Sequence, residues 1–267
     1  MHTSLTRKGR KRARVVPARQ HENGAGPRLT AEDFAQALRR AADPAQARFL
    51  QSFFKTGPGQ YGHGDVFIGL RVPVVRQHVR QFRGMPPAEA GKLVRSEIHE
   101  ERLGGLLLWV QAFEKGDEHE RKAIFDLYLK NRSHINNWDL VDASAPVIVG
   151  ESLEPGDCML LDELVGSTAL WDRRIAVLAT FAFIRQGAFE PTLRLCGKLL
   201  GDKQDLMHKA CGWMLREVGK RDRAVLSGFL DQHAAVMPRT MLRYALEHYP
   251  AAERLRYMGA SARPKSV

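Results

Sequence analysis

The sequence predicts an all-α protein, an α-solenoid of stacked helix pairs that presents a concave face. Three observations predict it. Beyond residue 29, apolar residues recur at three- and four-residue intervals, the spacing of one helix face. No segment sustains the apolar–polar alternation of a half-buried strand. A faint 33-residue period runs through the second half: Asp139, Asp172 and Asp205 each stand near the start of an apolar helical stretch, with Pro238 in the corresponding place. Helix pairs repeating at roughly this interval bury their faces against their neighbours and curve as they stack.

The elements follow in order. Residues 1–28 hold eight basic side chains against one acid, Glu22, and so carry +7 of the net charge of +11. With almost no large apolar residues, this stretch reads as a disordered basic arm. Thr30, with Asp33 three residues on, marks the first helix start, and Phe34 and Leu38 share its apolar face. Lys55 to Pro73 holds Gly57-Pro58-Gly59, Gly62, Gly64 and Gly69 and reads as an ordered loop after an N-terminal helical pair. It lacks the G-x-x-x-x-G-K-[ST] order of a phosphate loop. Helix starts follow at Pro87 and Pro191, with apolar faces at Leu103-Leu107-Val110, Ile124-Leu127, Val177-Phe181-Ile184 and Leu242-Leu246. The helical repeat domain is thus expected over 29–255, with a flexible tail over 256–267.

Composition excludes several classes. No apolar stretch reaches the roughly 18 residues that span a bilayer, and no apolar core follows the N-terminal charges as in a secretory signal. Cys158, Cys196 and Cys211 are odd in number and form no C-x-x-C pair, which argues against a disulfide framework or cysteine zinc site and for a reduced, cytoplasmic setting. The ten histidines are scattered without metal-ligand spacing, and no H-E-x-x-H or G-x-S-x-G is present. Neither a metal nor an organic cofactor is expected. The basic arm fits a nucleic-acid partner, and equally a solvated tail.

Candidate functional residues centre on Trp138-Asp139-Leu140-Val141-Asp142. On a helix, Trp138 and Asp142 share a face, which sets an aromatic plane beside a carboxylate. Packing is the alternative for Trp138, and a salt bridge to a neighbouring repeat is the alternative for Asp142; Asp139 reads as a helix cap. Arg173 and Arg174 precede a strongly apolar helix, where the dipole disfavours a cation, so one of them needs an anionic partner: Asp142, a glutamate or a phosphate. Trp213 has Lys209 one turn before it and Arg216 and Glu217 one turn after, a cationic surround suited to a DNA backbone. Trp109 and Trp171 are assigned to packing.

Five segments, in order and spacing, resemble a known family. They are Phe53-Phe54-Lys55-Thr56-Gly57-Pro58-Gly59-Gln60-Tyr61-Gly62 with Gly69-Leu70-Arg71-Val72-Pro73; Asn137 to Asp142; Leu170-Trp171-Asp172-Arg173-Arg174; Lys209 to Glu217; and Met241-Leu242-Arg243-Tyr244-Ala245. The chain from about residue 33 to 250 is similar to the HEAT-like-repeat alkylpurine DNA glycosylases, the AlkD family. The resemblance implies HEAT-like repeats with a concave DNA-binding face and a catalytic set of Trp138, Asp142, Arg174 and Trp213. Lys209, Arg173, Arg216 and Arg71 are the expected DNA contacts. It also implies hydrolytic release of N3- and N7-alkylated, cationic purines from double-stranded DNA, by a monomer associated with the nucleoid, without cofactor, obligate protein partner or base flipping. An offset of one residue would exchange Arg173 and Arg174. Two rival readings are a non-catalytic relative that binds distorted or branched DNA, and a helical protein-binding scaffold.

Overall fold

The computed structural model describes residues 29–260; the basic arm of 1–28 lies outside them. Thr30 caps the first helix, α1 (Ala31–Arg40), its hydroxyl oxygen accepting the Asp33 N–H, while Phe34 and Leu38 are fully buried. Asp43 caps α2 (Pro44–Phe53) in the same way, accepting from Ala45 and Gln46. No side chain of α2 is buried, and Phe49 and Phe53 stay exposed. The glycine-rich loop follows, as expected, and leads into α3 (Val72–Gln81) and α4 (Pro87–Val94).

The remainder is a stack. Helices α5 (His99–Lys115), α7 (Trp138–Ile148), α9 (Leu170–Arg185), α11 (Asp205–Arg221) and α13 (Arg239–Ala245) lie side by side in chain order. Helices α6 (Glu118–Lys130), α8 (Met159–Val165), α10 (Glu190–Lys198) and α12 (Arg223–His233) pack on them as the second members of the pairs. A last helix, α14 (Ala251–Ala260), leans on α13. This is an all-α helical repeat fold. No helix of the described residues is long and apolar enough to cross a membrane.

Two expectations change. The recurrent aspartates are not the caps. Asn137, Ala169, Gln204 and Pro238 occupy the cap positions of α7, α9, α11 and α13, which places Asp139, Asp172 and Asp205 inside the first turn at slightly different depths. The repeat lies in the helices, and the acids follow because negative charge is favoured near helix N-termini. The domain boundary also moves. Helix α14 runs past residue 255 to Ala260, and Tyr257 within it is buried, its hydroxyl donating to Asp231 (3.0 Å).

The core runs along the whole stack. Helix α9 buries Ile175 to Thr180 without a break, because neighbours cover it on several sides. The two helices approach closely at Gly212 of α11, where a Cβ would meet the Tyr244 Cβ at 2.5 Å and the Met241 carbonyl at 2.6 Å. Only glycine lets α11 and α13 come this close. Pro146 sits inside α7, one turn after Asp142. The three cysteines are buried free thiols.

Candidate active site

The site lies where α7, α9 and α11 begin. Asn137 caps α7, its side-chain oxygen accepting the Trp138 N–H at 2.9 Å. That fixes Trp138 at the first helical position, half-buried, with its indole stacked on Phe54 (centroids 5.2 Å, planes 15° apart) and Phe53 meeting it edge-on at 6.2 Å. One turn later Asp142 reaches across to α9. Arg174 donates Nε and Nη2 to its two carboxylate oxygens, both at 2.8 Å, a bidentate fork. The Arg174 Nη1 donates to the Leu206 carbonyl at 2.7 Å, at the start of α11. A single guanidinium therefore ties three successive repeats together.

Arg174 is 4 % exposed, whereas the Asp142 side chain keeps 18 % of its surface open. Burial raises the Asp142 pKa above its ordinary value; the Arg174 fork pulls the other way, and the nearby Asp139 charge adds to the rise. A carboxylate has about four lone-pair sites, so two remain after the fork. The arrangement offers a fixed, partly desolvated negative charge one turn from an aromatic plane.

Of the two arginines it is Arg174 that meets Asp142. Arg173 is a structural tie: its Nε pairs with Asp202 at 2.8 Å, and its Nη1 donates to the Ser167 and Thr168 carbonyls, both at 2.9 Å. With those donors committed and the side chain largely buried, it is poorly placed as a DNA contact. One helical residue rotates a side chain by about 100°, enough to send neighbouring arginines to different partners.

The other expected residues spread along the stack. Trp213 stands on α11, half-buried, and its aromatic neighbour is Phe181 of α9 (6.4 Å) rather than Trp138. Lys209, partly exposed, pairs with Asp205 one turn earlier at 2.9 Å. Arg216 is held by Glu247. Arg71 is exposed at the start of α3 and donates to the Gln46 side chain at 3.1 Å. Trp109 is fully buried and donates its indole N–H to the Pro87 carbonyl (2.8 Å), as packing requires. Trp171 is half-buried against Tyr61 (6.3 Å, edge-on).

A buried charge network beside Trp138 has no counterpart in the sequence reading. His99 Nδ1 faces Asp65 at 3.0 Å and its Nε2 faces Asp139 at 2.9 Å; Asp65 also accepts from Arg102 and, at 2.9 Å, from Asn137 Nδ2. Burial lowers the His99 pKa, but the Asp139 and Asp65 carboxylates outweigh it and raise it to about 9. The stacked Phe67 ring (4.3 Å) favours the imidazolium further. Asp139 is thus an ion-pair partner, not a cap. The signal was His99-Glu100-Glu101-Arg102 directly ahead of Leu103 to Trp109. A helix that is apolar all round is buried from its first turn, so its leading charges needed partners.

The DNA alkylation repair enzyme family matches residues 34–249. The chain belongs to this family. Its fold is similar to that of a solved structure described as a predicted DNA alkylation repair enzyme from Enterococcus faecalis, with a TM-score of 0.61 and 16 % identity over 79 % of this chain and 97 % of that one. No curated protein matches significantly. Family membership supports a role in the repair of alkylation damage.

Proposed function

We propose that the chain is a monofunctional DNA glycosylase that hydrolyses the N-glycosidic bond of cationic N3- and N7-alkylated purines in double-stranded DNA. The observation that carries this is the Asp142 carboxylate, clamped by Arg174, largely buried but still open to solvent over 18 % of its side chain, and one turn from Trp138. An alkylated purine is already positively charged, so its bond to C1′ is weak. As that bond breaks, the electron pair leaves with the base and neutralises it, and positive charge develops on the sugar. Preorganised negative charge at that place is among the strongest catalytic levers. Water then attacks C1′ and gives up a proton, which Asp142 accepts directly or passes to solvent. Arg174 orients the carboxylate, and its near-complete burial leaves phosphate contacts to exposed cations such as Lys209 and Arg71. The indoles of Trp138 and Trp213 supply aromatic surface for the sugar and lesion, at about 0.5 to 2 kcal/mol per cation–π contact. An apolar cavity of about 360 Å³ beside Trp138, walled by Phe49, Phe53, Leu70 and Val72, leaves room for substituents on the lesion.

One observation favours a second reading. Both Asp142 oxygens are engaged by Arg174 across the repeat boundary, as in a purely structural ion pair, which suits a non-catalytic DNA-binding relative. Single-turnover release of 7-methylguanine from a defined duplex separates the two. Wild type should release the base, and Asp142→Asn should lose most of the rate while still binding DNA. Tight duplex binding with no release by wild type would select the second reading, and an Asp142→Asn variant as fast as wild type would remove Asp142 from the chemistry.

A further inference from the structure

The glycine-rich loop carries one aromatic side chain into the site. Tyr61 meets the Trp171 ring of α9 edge-on at 6.3 Å, and its hydroxyl donates to the carbonyl of Phe53, the residue whose ring lies edge-on to Trp138 of α7. It is half-buried, so part of its ring remains available. The loop thus reaches over the start of α9 and, at Gly62, lies against the Asn137 cap of α7.

What holds this loop is far more elaborate than covering a core requires. Asp65, four residues after Tyr61, is bound by His99, Arg102 and Asn137. The Glu100 Oε1 atom accepts the backbone N–H groups of Ile68 (3.1 Å), Gly69 (2.8 Å) and Leu70 (3.0 Å). The His99 N–H donates to the Val66 carbonyl at 2.8 Å. Next to Tyr61, Gly62 lies so close to its surroundings that a Cβ would meet the Phe54 carbonyl oxygen at 2.4 Å and the Asn137 side chain at 3.4 Å. Buried charges are costly unless fully paired. Here four of them, on α5 and in the loop, fix a segment whose one aromatic side chain between Lys55 and Asp65 is Tyr61. Rigid support of this kind is what an interaction made only in the transition state requires.

We propose that Tyr61 is a substrate-contacting residue, a third aromatic wall that meets the developing positive charge on the sugar opposite Trp138. The inference rests on the glycosylase reading above. It goes beyond it by making the loop part of the machinery that distinguishes a damaged site from ordinary duplex.

The test uses the full chain and two duplexes, one unmodified and one carrying a cationic azasugar in place of a single deoxyribose. The quantity read is the ratio of the two dissociation constants. Wild type should prefer the azasugar duplex. Tyr61→Ala should lose about fivefold of that preference, the size expected for one partly desolvated cation–aromatic contact, whereas Tyr61→Phe should keep it within about twofold. A Tyr61→Ala variant with lowered thermal stability but an unchanged ratio would reduce the residue to a packing role and overturn the proposal. A wild-type ratio of one would overturn the glycosylase reading, and the role of Tyr61 with it.

Discussion

The buried His99 makes this protein's stability fall as pH rises through the alkaline range. In the folded chain His99 has a pKa of about 9, against 6.5 for the unperturbed side chain. The folded state therefore binds the proton more tightly. The resulting stability is fully present below pH 6.5 and disappears as pH climbs through 9. A difference of about 2.5 pKa units corresponds to roughly 3 kcal/mol at full effect, of which about 2.5 kcal/mol should be lost between pH 7 and 10. No discount for solvent applies, since the side chain is 2 % exposed. Urea unfolding of wild type and His99→Gln across this window isolates the effect, because other titrating groups contribute to both curves. The stability difference between the two should shrink by about that amount as pH rises. A difference that stays constant from pH 7 to 10 would mean that His99 is neutral in the folded protein, and that the Asp65–His99–Asp139 bridge is held by ordinary hydrogen bonds.

Two further outcomes are expected. Since burial raises the Asp142 pKa above its ordinary value of 3.8, the acid limb of the excision rate should lie above that value, the rate falling as pH is lowered and the carboxylate is protonated; Arg174→Lys, which removes the bidentate fork, should move the limb further upward, and an unmoved limb would detach Arg174 from Asp142 in the working enzyme. Gly212→Ala should destabilise the fold by about 1 to 3 kcal/mol, the usual range for overpacking, because the added methyl meets the α13 main chain at 2.6 Å; thermal unfolding with an unchanged midpoint would show that α13 yields easily.

How far the sequence discloses this molecule depends on the range of the interactions involved. Helices are local, so their faces and order were legible from spacing, and Thr30 acted at α1 as its chemistry demands. The pairing of Asp142 with Arg174 bridges 32 residues, but both ends lie at equivalent places in successive repeats, which made the partnership readable in outline. The choice between Arg173 and Arg174 depended on about 100° of helix rotation, finer than any spacing argument. The His99 network joins residues 34 and 40 positions apart without a shared pattern, so no spacing in the sequence marks its members as partners. Tyr61 was visible as a letter in a glycine-rich loop, but where that loop lies depends on Asp65 and Glu100, whose burial only the packed structure reveals. The helix beyond residue 255 is hard to read because Arg254, Leu255 and Arg256, all exposed, mask the burial of Tyr257.

Pro146, one turn beyond Asp142, has a further consequence. A proline has no N–H to give, so the Asp142 main-chain carbonyl goes without the donor that a regular helix would bring from residue 146. The residue that carries the charge at this site is thus electron-rich twice over, in its side chain and in its backbone, and the guanidinium answers only the first. Any replacement of Pro146 by an ordinary amino acid would restore that donor and quench part of the local negative potential, all without altering a single atom of the side chains that meet at Asp142.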